Sequence, residues 1–109
     1  MVLDIKYIFD DAESRIEGLR GHRCPIDACA LFVYETPAPR KFWMKGVHTN
    51  LYLSAVLDNE VVGSIFMRAN TTEVHIVSEP VMVVVESRVE IPVGSHVDIV
   101  GEKLVVSNG

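Results

Sequence analysis

The chain has 109 residues, of which 49% are hydrophobic and 23% charged, a length and balance that predict one globular domain over residues 1–109 and exclude a disordered chain. The formal net charge is −5, which is a poor match for the phosphate backbone, so we expect no nucleic-acid partner. No stretch approaches the ~18 apolar residues of a membrane helix, and early acidic residues such as Asp4 and Asp10 argue against a signal peptide. The sequence therefore predicts a soluble, cytoplasmic protein with no membrane partner.

The first part of the chain predicts a strand followed by a short helix. Residues 2–9 alternate in polarity and form a half-buried strand with its apolar side chains on one face. A helix is expected over residues 11–20, capped by Asp10, with Glu13 completing a capping box. Gly21 is the expected left-handed end of that helix.

The rest of the chain predicts short strands joined by turns. Val, Ile and Thr number 18, 8 and 4, a composition that favours pleated strands over helices. Gly63, inside one of these segments, indicates a bulge or a close backbone approach. The expected strands are single segments at 29–35 and 41–45, and strand pairs at 50–58 with 60–67, 73–77 with 81–87 (turning at 78–80), and 95–100 with 103–107.

These elements predict a mainly β fold: a single-domain antiparallel β-sandwich or partly closed barrel with one short α-helix. The run from Val81 to Val85 is apolar on both faces, which is typical of a central strand covered on both sides. Alternation predicts a core that includes Phe32, Phe42, Met44, Leu53, Ile65, Val83 and Val85.

Three motifs occur in order along the chain: Arg15-Ile-Glu-Gly-Leu19, Ala30-Leu-Phe-Val-Tyr34 and Phe42-Trp-Met-Lys45. Together with Ile91-Pro-Val-Gly94 they resemble the small bacterial and archaeal family called domain of unknown function 192. The resemblance extends over residues 2–106. It implies an all-β, sandwich-like domain with a small helix and carries no established reaction or catalytic residues. The sequence departs from the family pattern at Gly46, Val47 and Tyr52.

No motif for catalysis or for a metal stands out. Cys24 and Cys29 lie five residues apart, which is the wrong spacing for a zinc knuckle even with His22 nearby. We expect both to be free thiols and expect no metal and no cofactor. The sequence contains no nucleophile elbow, phosphate loop or dinucleotide fingerprint. It predicts no catalytic residue, and it favours a protein that is not an enzyme.

The distribution of positive charge suggests a binding site. Basic residues fall on the predicted helix and its exit, and others flank Trp43 on its strand. Arginine suits carboxylate or phosphate groups, and tryptophan stacks on rings or caps cations. The sequence therefore predicts a binding module for a small anionic or ring-bearing ligand. Its candidate ligand-binding residues are Arg15, Arg23, Trp43, Lys45 and His48.

Two ordinary structural explanations compete with this site. The helix arginines can pair with Glu13 and Glu17 on a solvated face, and Trp43 can be covered by the helix. The alternative function is then a structural or protein-interaction domain that forms a homodimer through an exposed strand edge and has no ligand site. Sequence alone leaves monomer and homodimer open. The exposure of Trp43 discriminates the two functions.

Overall fold

A computed structural model describes residues 1–108, and strands account for most of them. The expectation of a mainly β domain with one short helix is confirmed. Within the described range, no helix is both long enough and apolar enough to cross a membrane. In chain order the elements are β1 (Val2–Phe9), α1 (Ala12–Glu17), β2 (Ala28–Phe42), β3 (Leu51–Leu57), β4 (Glu60–Met67), β5 (His75–Ser87), β6 (His96–Val100) and β7 (Lys103–Ser107).

The seven strands form one sheet that closes on itself in the order β1-β2-β5-β3-β4-β6-β7, with β7 pairing back to β1. Every pair is antiparallel except β1 with β2, which are parallel because the chain crosses over between them through α1. The contact between β4 and β6 is a single ladder pair, Glu60 with His96. The ring is therefore closed most weakly at that point.

Side chains of the sheet pack into two separate hydrophobic cores. One core receives side chains from all seven strands, including Leu31 of β2 and Val85 of β5, and fills the inside of the ring. The other, which we call the outer core, includes Phe32 and Val84 and lies on the opposite face of the same strands, under α1 and the loops at its end. Because β2 and β5 are covered on both faces, these strands have apolar side chains on both faces. The double covering expected near Val85 is thus present, although Met82 is 42% exposed.

The two cores also explain an irregularity in β1. Leu3 and Ile5 pack inside the ring, whereas Tyr7 and Phe9 pack against the outer core. The register with β2 shifts between Ile5 and Tyr7. A bulge of this kind inserts one residue and turns the following side chains to the other face. The predicted face of alternating residues in β1 is therefore shared between two cores.

The prediction of a strand pair at 73–77 and 81–87 is wrong, because β5 runs unbroken through Pro80. The separate strands expected at 29–35 and 41–45 are likewise wrong: β2 continues through Pro37 and Pro39 and ends at Phe42. The two proline segments lie opposite one another, where the β2–β5 register shifts on either side of Ala38. Proline lacks an N–H donor and is tolerated at such irregular positions. Both strands therefore pass through sequences that normally end a strand.

The helix is shorter than expected and uses different caps. Asp11, rather than Asp10, is the N-cap, and Ser14, rather than Glu13, completes the capping box. The helix ends at Gly18, not at Gly21, with φ at +53°. A Cβ at Gly18 would lie 3.2 Å from the Phe32 ring, so glycine serves both the backbone turn and the close packing on β2.

The hairpins predicted between β3 and β4 and between β6 and β7 are both confirmed. Asp58 and Asn59 turn between β3 and β4 with positive φ, and Gly101 turns between β6 and β7. The register shift expected near Gly63 is also present, beside its partner Ala55. Of the predicted core residues, the five that are buried are Phe32, Phe42, Met44, Leu53 and Val85. Ile65 and Val83 are only partly buried.

Candidate functional site

A cleft with a volume of about 600 Å³ opens between α1, the second half of β2 and the segment that follows β2. We call it the α1–β2 cleft. The acidic side chains that line it are Glu17 and Glu86. Positive charge predominates along its walls, because the lining includes five cationic side chains: Arg15, Arg20, Arg40, Lys41 and Lys45.

Arg15 is anchored to β2 across the cleft wall. The helix turns its side chain toward the strand, where Nη1 donates a hydrogen bond of 2.9 Å to the carbonyl oxygen of Val33. The same atom lies 3.5 Å from a carboxylate oxygen of Glu35. The Arg15 side chain is only 16% exposed. Arg15 therefore does not belong to a freely solvated helix face, which was the ordinary explanation for its charge.

The ring of Tyr34 contacts two of the cationic side chains that line the cleft. The guanidinium of Arg40 lies 3.7 Å from the centre of the Tyr34 ring, and that of Arg15 lies 5.0 Å from it. Arg40 also donates from Nη2 to the carbonyl of Thr36, and its buried Nε has no hydrogen-bond partner within residues 1–108. Burial raises the pKa of Tyr34, so its phenol is neutral at ordinary pH. Tyr34 thus holds the two cations without cancelling their charge.

Trp43 contributes an aromatic surface to the cleft. Phe42 and Met44, its neighbours in sequence, are buried in the outer core, which turns Trp43 outward. Trp43 is 47% exposed, and Nζ of Lys45 lies 5.6 Å from its ring. The segment therefore presents a ring beside a cation, held in place by the buried residues on either side.

Of the five candidate residues, the structure brings Arg15, Trp43 and Lys45 to the same cleft. Arg23 and His48 are exposed and are not among its lining residues. Arg23 lies beyond the turn at Gly21 and accepts a hydrogen bond from the Tyr7 hydroxyl through its carbonyl oxygen. His48 lies in the segment between β2 and β3, next to the buried Val47.

Glu86, like Tyr34, lines the cleft but is not among the candidates drawn from the sequence. It lies in β5 between Ala30 of β2 and Leu53 of β3, and it is only 4% exposed. Burial alone raises its pKa to about 8, and no charged or hydrogen-bonding group among residues 1–108 counters that shift. The sequence contains one signal for this burial. Glu86 lies two residues after Val84 in the same strand, so its side chain is on the same face as that of the buried Val84.

The two cysteines are free thiols in different cores. Cys24 packs in the outer core and Cys29 inside the ring. Burial raises the pKa of the Cys29 thiol to about 12. Across residues 1–108, no group of three or more His, Cys, Asp and Glu side chains is arranged to hold a metal ion.

No family model matches the chain, and no curated protein matches it. The resemblance to domain of unknown function 192 therefore stays a prediction from its motifs.

Two solved structures share the fold. A protein of unknown function from Novosphingobium aromaticivorans DSM 12444 aligns with a TM-score of 0.70 and 17% identity, covering 76% of this chain and 62% of its own. This chain thus spans less than two thirds of that protein. A protein from Sinorhizobium meliloti 1021 described as "a putative transcription regulator" aligns with a TM-score of 0.71 and 20% identity, covering 79% and 77%. At these identities the likeness shows a common fold and no common function.

Proposed function

We propose that this chain is a binding module for a small organic anion, which it holds in the α1–β2 cleft. One observation carries the proposal: five cationic side chains line a single cleft of a protein whose net charge is −5. Like charges held close together repel one another, and a bound anion relieves that repulsion. Arginine and lysine also form the strongest hydrogen bonds to carboxylate and phosphate groups.

The surroundings of Trp43 support a ligand that carries a ring. A fully buried tryptophan would have favoured the structural explanation, whereas Trp43 is half-exposed and lines the cleft. Aromatic side chains pair with other rings in stacked or edge-on arrangements. Lys45 beside the ring is placed to reach an acid group on the same ligand.

Fluorescence of Trp43, the one tryptophan of the chain, tests the proposal directly. Titrations would use inorganic phosphate, benzoate and a nucleoside monophosphate as probes. We expect a saturable change in emission with at least one of them. Arg20→Gln and Lys45→Gln should each weaken that binding by roughly tenfold or more, because a charge-assisted hydrogen bond contributes about 1.5–3 kcal/mol.

Arg68→Gln is the matched control, because Arg68 is exposed and does not line the cleft. It should leave the affinity of each probe unchanged. The proposal fails if no probe changes the emission, or if Arg68→Gln weakens binding as much as the two cleft variants.

The alternative, a homodimer formed through a strand edge, would use a strand segment whose edge is unpaired, and β4 provides one such segment. Pairing between β4 and β6 is confined to the start of β4, around Glu60 and its ladder partner His96, and the exposed Phe66 lies farther along β4. Sedimentation of the wild type and of Phe66→Asp measures this alternative. The homodimer alternative predicts that the wild type sediments as a dimer and that Phe66→Asp sediments as a monomer. A monomeric wild type contradicts that alternative.

A further inference from the structure

We propose that the ligand of the α1–β2 cleft is a zwitterion, an organic acid that also carries a protonated amine, and that the amine binds Glu86. The inference rests on the proposed function and adds the second functional group of the ligand. The acid group contacts the cationic walls of the cleft, and the amine reaches the buried carboxyl group at its base.

The first reason is that Glu86 has no partner within residues 1–108. Its neighbours across the sheet, Ala30 and Leu53, are apolar. The titratable groups that respond to its charge are Tyr34 on β2 and Cys24 in the loop before β2. Both are neutral at ordinary pH, since burial raises their pKa values. A buried ionisable group without a partner is costly and is found preferentially at functional sites.

The second reason is that the nearby arginines are already engaged elsewhere. Arg15 donates to Val33 and pairs with Glu35. Arg40 donates to a β2 carbonyl and packs on Tyr34. Neither pairs with Glu86, although Glu86 lines the same cleft. The carboxyl group is thus left for a ligand, and an ammonium group on that ligand forms a charge-assisted hydrogen bond with it.

The third reason is the distance along β2 between Glu86, at the base of the cleft, and Tyr34, on which two of the arginines pack. Tyr34 lies four residues along β2 from Ala30, the partner of Glu86. At about 3.3 Å per residue, this places Tyr34 roughly 13 Å along the strand from the level of Glu86. A ligand that bridges Glu86 and the cations packed on Tyr34 therefore extends along β2, with its acid and amine groups at opposite ends, as in an ω-amino acid.

Pairing with an ammonium group changes the protonation of Glu86. Before binding, the carboxyl group holds its proton because burial raises its pKa to about 8. When the ammonium arrives, the O–H bond of the carboxyl group breaks, the proton passes to the buffer, and a carboxylate–ammonium ion pair forms. Binding near neutral pH therefore releases close to one proton per ligand, whereas an acid without an amine releases none through this group.

Calorimetry with three probes tests the inference. ε-Aminocaproate carries both groups, caproate carries only the acid, and hexylamine carries only the amine. Titrations at neutral pH in two buffers of different ionisation enthalpy measure both affinity and proton release. We expect ε-aminocaproate to bind at least tenfold more tightly than either other probe, with proton release.

Glu86→Gln keeps the shape of the protonated carboxyl group but cannot ionise. It should bind ε-aminocaproate and caproate equally and release no proton, while its affinity for caproate matches the wild type. Glu90→Gln, at an exposed position outside the cleft, is the charge-matched control and should retain the preference and the proton release.

The two proposals fail in different ways. Equal affinity of the wild type for ε-aminocaproate and caproate, without proton release, overturns the zwitterion and leaves the anion-binding module intact. Absence of binding by every probe, ε-aminocaproate included, overturns the binding module itself. The proton measurement uses the wild-type protein, so the outcome does not depend on whether Glu86→Gln folds.

Discussion

The guanidinium of Arg40 lies 3.7 Å from the centre of the Tyr34 ring, and this pair sets the position of one wall of the cleft. Arg15 approaches the same ring to 5.0 Å. Each arginine also donates to a β2 carbonyl, at Val33 and at Thr36. The two cations are therefore held in place before any ligand arrives, which lowers the entropic cost of binding an anion.

The ring of Tyr34, rather than its hydroxyl, should be responsible for this arrangement. Tyr34→Phe keeps the ring, so we expect the affinity for caproate to stay within about twofold of the wild type. Tyr34→Leu removes a cation–π contact worth about 0.5–2 kcal/mol, and affinity should fall severalfold. Fluorescence titration of Trp43 measures both variants. Equal loss in Tyr34→Phe and Tyr34→Leu would mean that the hydroxyl is the group that matters.

Glu86 should make the stability of the protein depend on pH. The pKa of its carboxyl is about 8 in the folded protein and near 4.5 when exposed. Between these values the folded state holds a proton that the unfolded chain has lost. The free energy of unfolding therefore falls as pH rises from about 5 to 8, by about 1.4 kcal/mol per pH unit from this group.

Urea denaturation across that pH range measures the effect against Glu86→Gln, which cannot ionise. The stability of the wild type relative to Glu86→Gln should decrease with rising pH and level off above pH 8. Parallel stability curves for the two proteins would show that Glu86 is ionised throughout, contrary to its burial.

Gly46 should be needed for the position of Arg20 as well as for the turn it occupies. A Cβ at Gly46 would lie 2.6 Å from Cγ of Arg20, and its φ is +75°. Gly94 has a φ of +93° and nothing within 4 Å of its Cβ position. Gly46→Ala and Gly94→Ala should each lose about 1–2 kcal/mol of stability, from the strain of positive φ.

Only Gly46→Ala should also weaken the binding of caproate, severalfold, because it displaces a cation that lines the cleft. Thermal unfolding and calorimetry on the two variants separate these effects. Unchanged affinity in Gly46→Ala would show that Arg20 does not contact the ligand.

Phe32 should contribute far more to stability than the exposed Phe66. The Phe32 ring lies 5.0 Å from that of Phe9 and 5.2 Å from that of Phe42, and Phe32 is 2% exposed. Phe32→Ala should cost about 3–5 kcal/mol, through lost burial and the cavity left behind. Phe66 is 50% exposed, and Phe66→Ala should cost about 1 kcal/mol or less. Similar losses in urea denaturation would contradict the placement of the outer core.

Features that depend on neighbouring residues could be predicted from the sequence. The alternation around Trp43 predicts that Phe42 and Met44 are buried and that Trp43 faces outward, and the structure agrees. The turn at Asp58 and Asn59 is likewise a local property, since both residues tolerate positive φ.

Features that depend on what covers a strand could not be predicted. Pro80 looks like the centre of a turn, yet β5 continues through it because the opposite segment of β2 is irregular at the same level. The sequence around Glu86 predicts an exposed polar residue at the end of a strand. Glu86 is buried because the outer core extends over that end of β5.

Interactions within a few residues set the β-rich class, the side-chain faces around Trp43 and the tight turns, so these features are predictable from the sequence. The closure of the ring, the parallel pairing of β1 with β2 and the second core arise from contacts between distant parts of the chain. The burial of Glu86 beside a basic cleft arises in the same way. Burial and pairing at those positions are set by residues far away in the chain, and the pattern of a single segment carries no information about them.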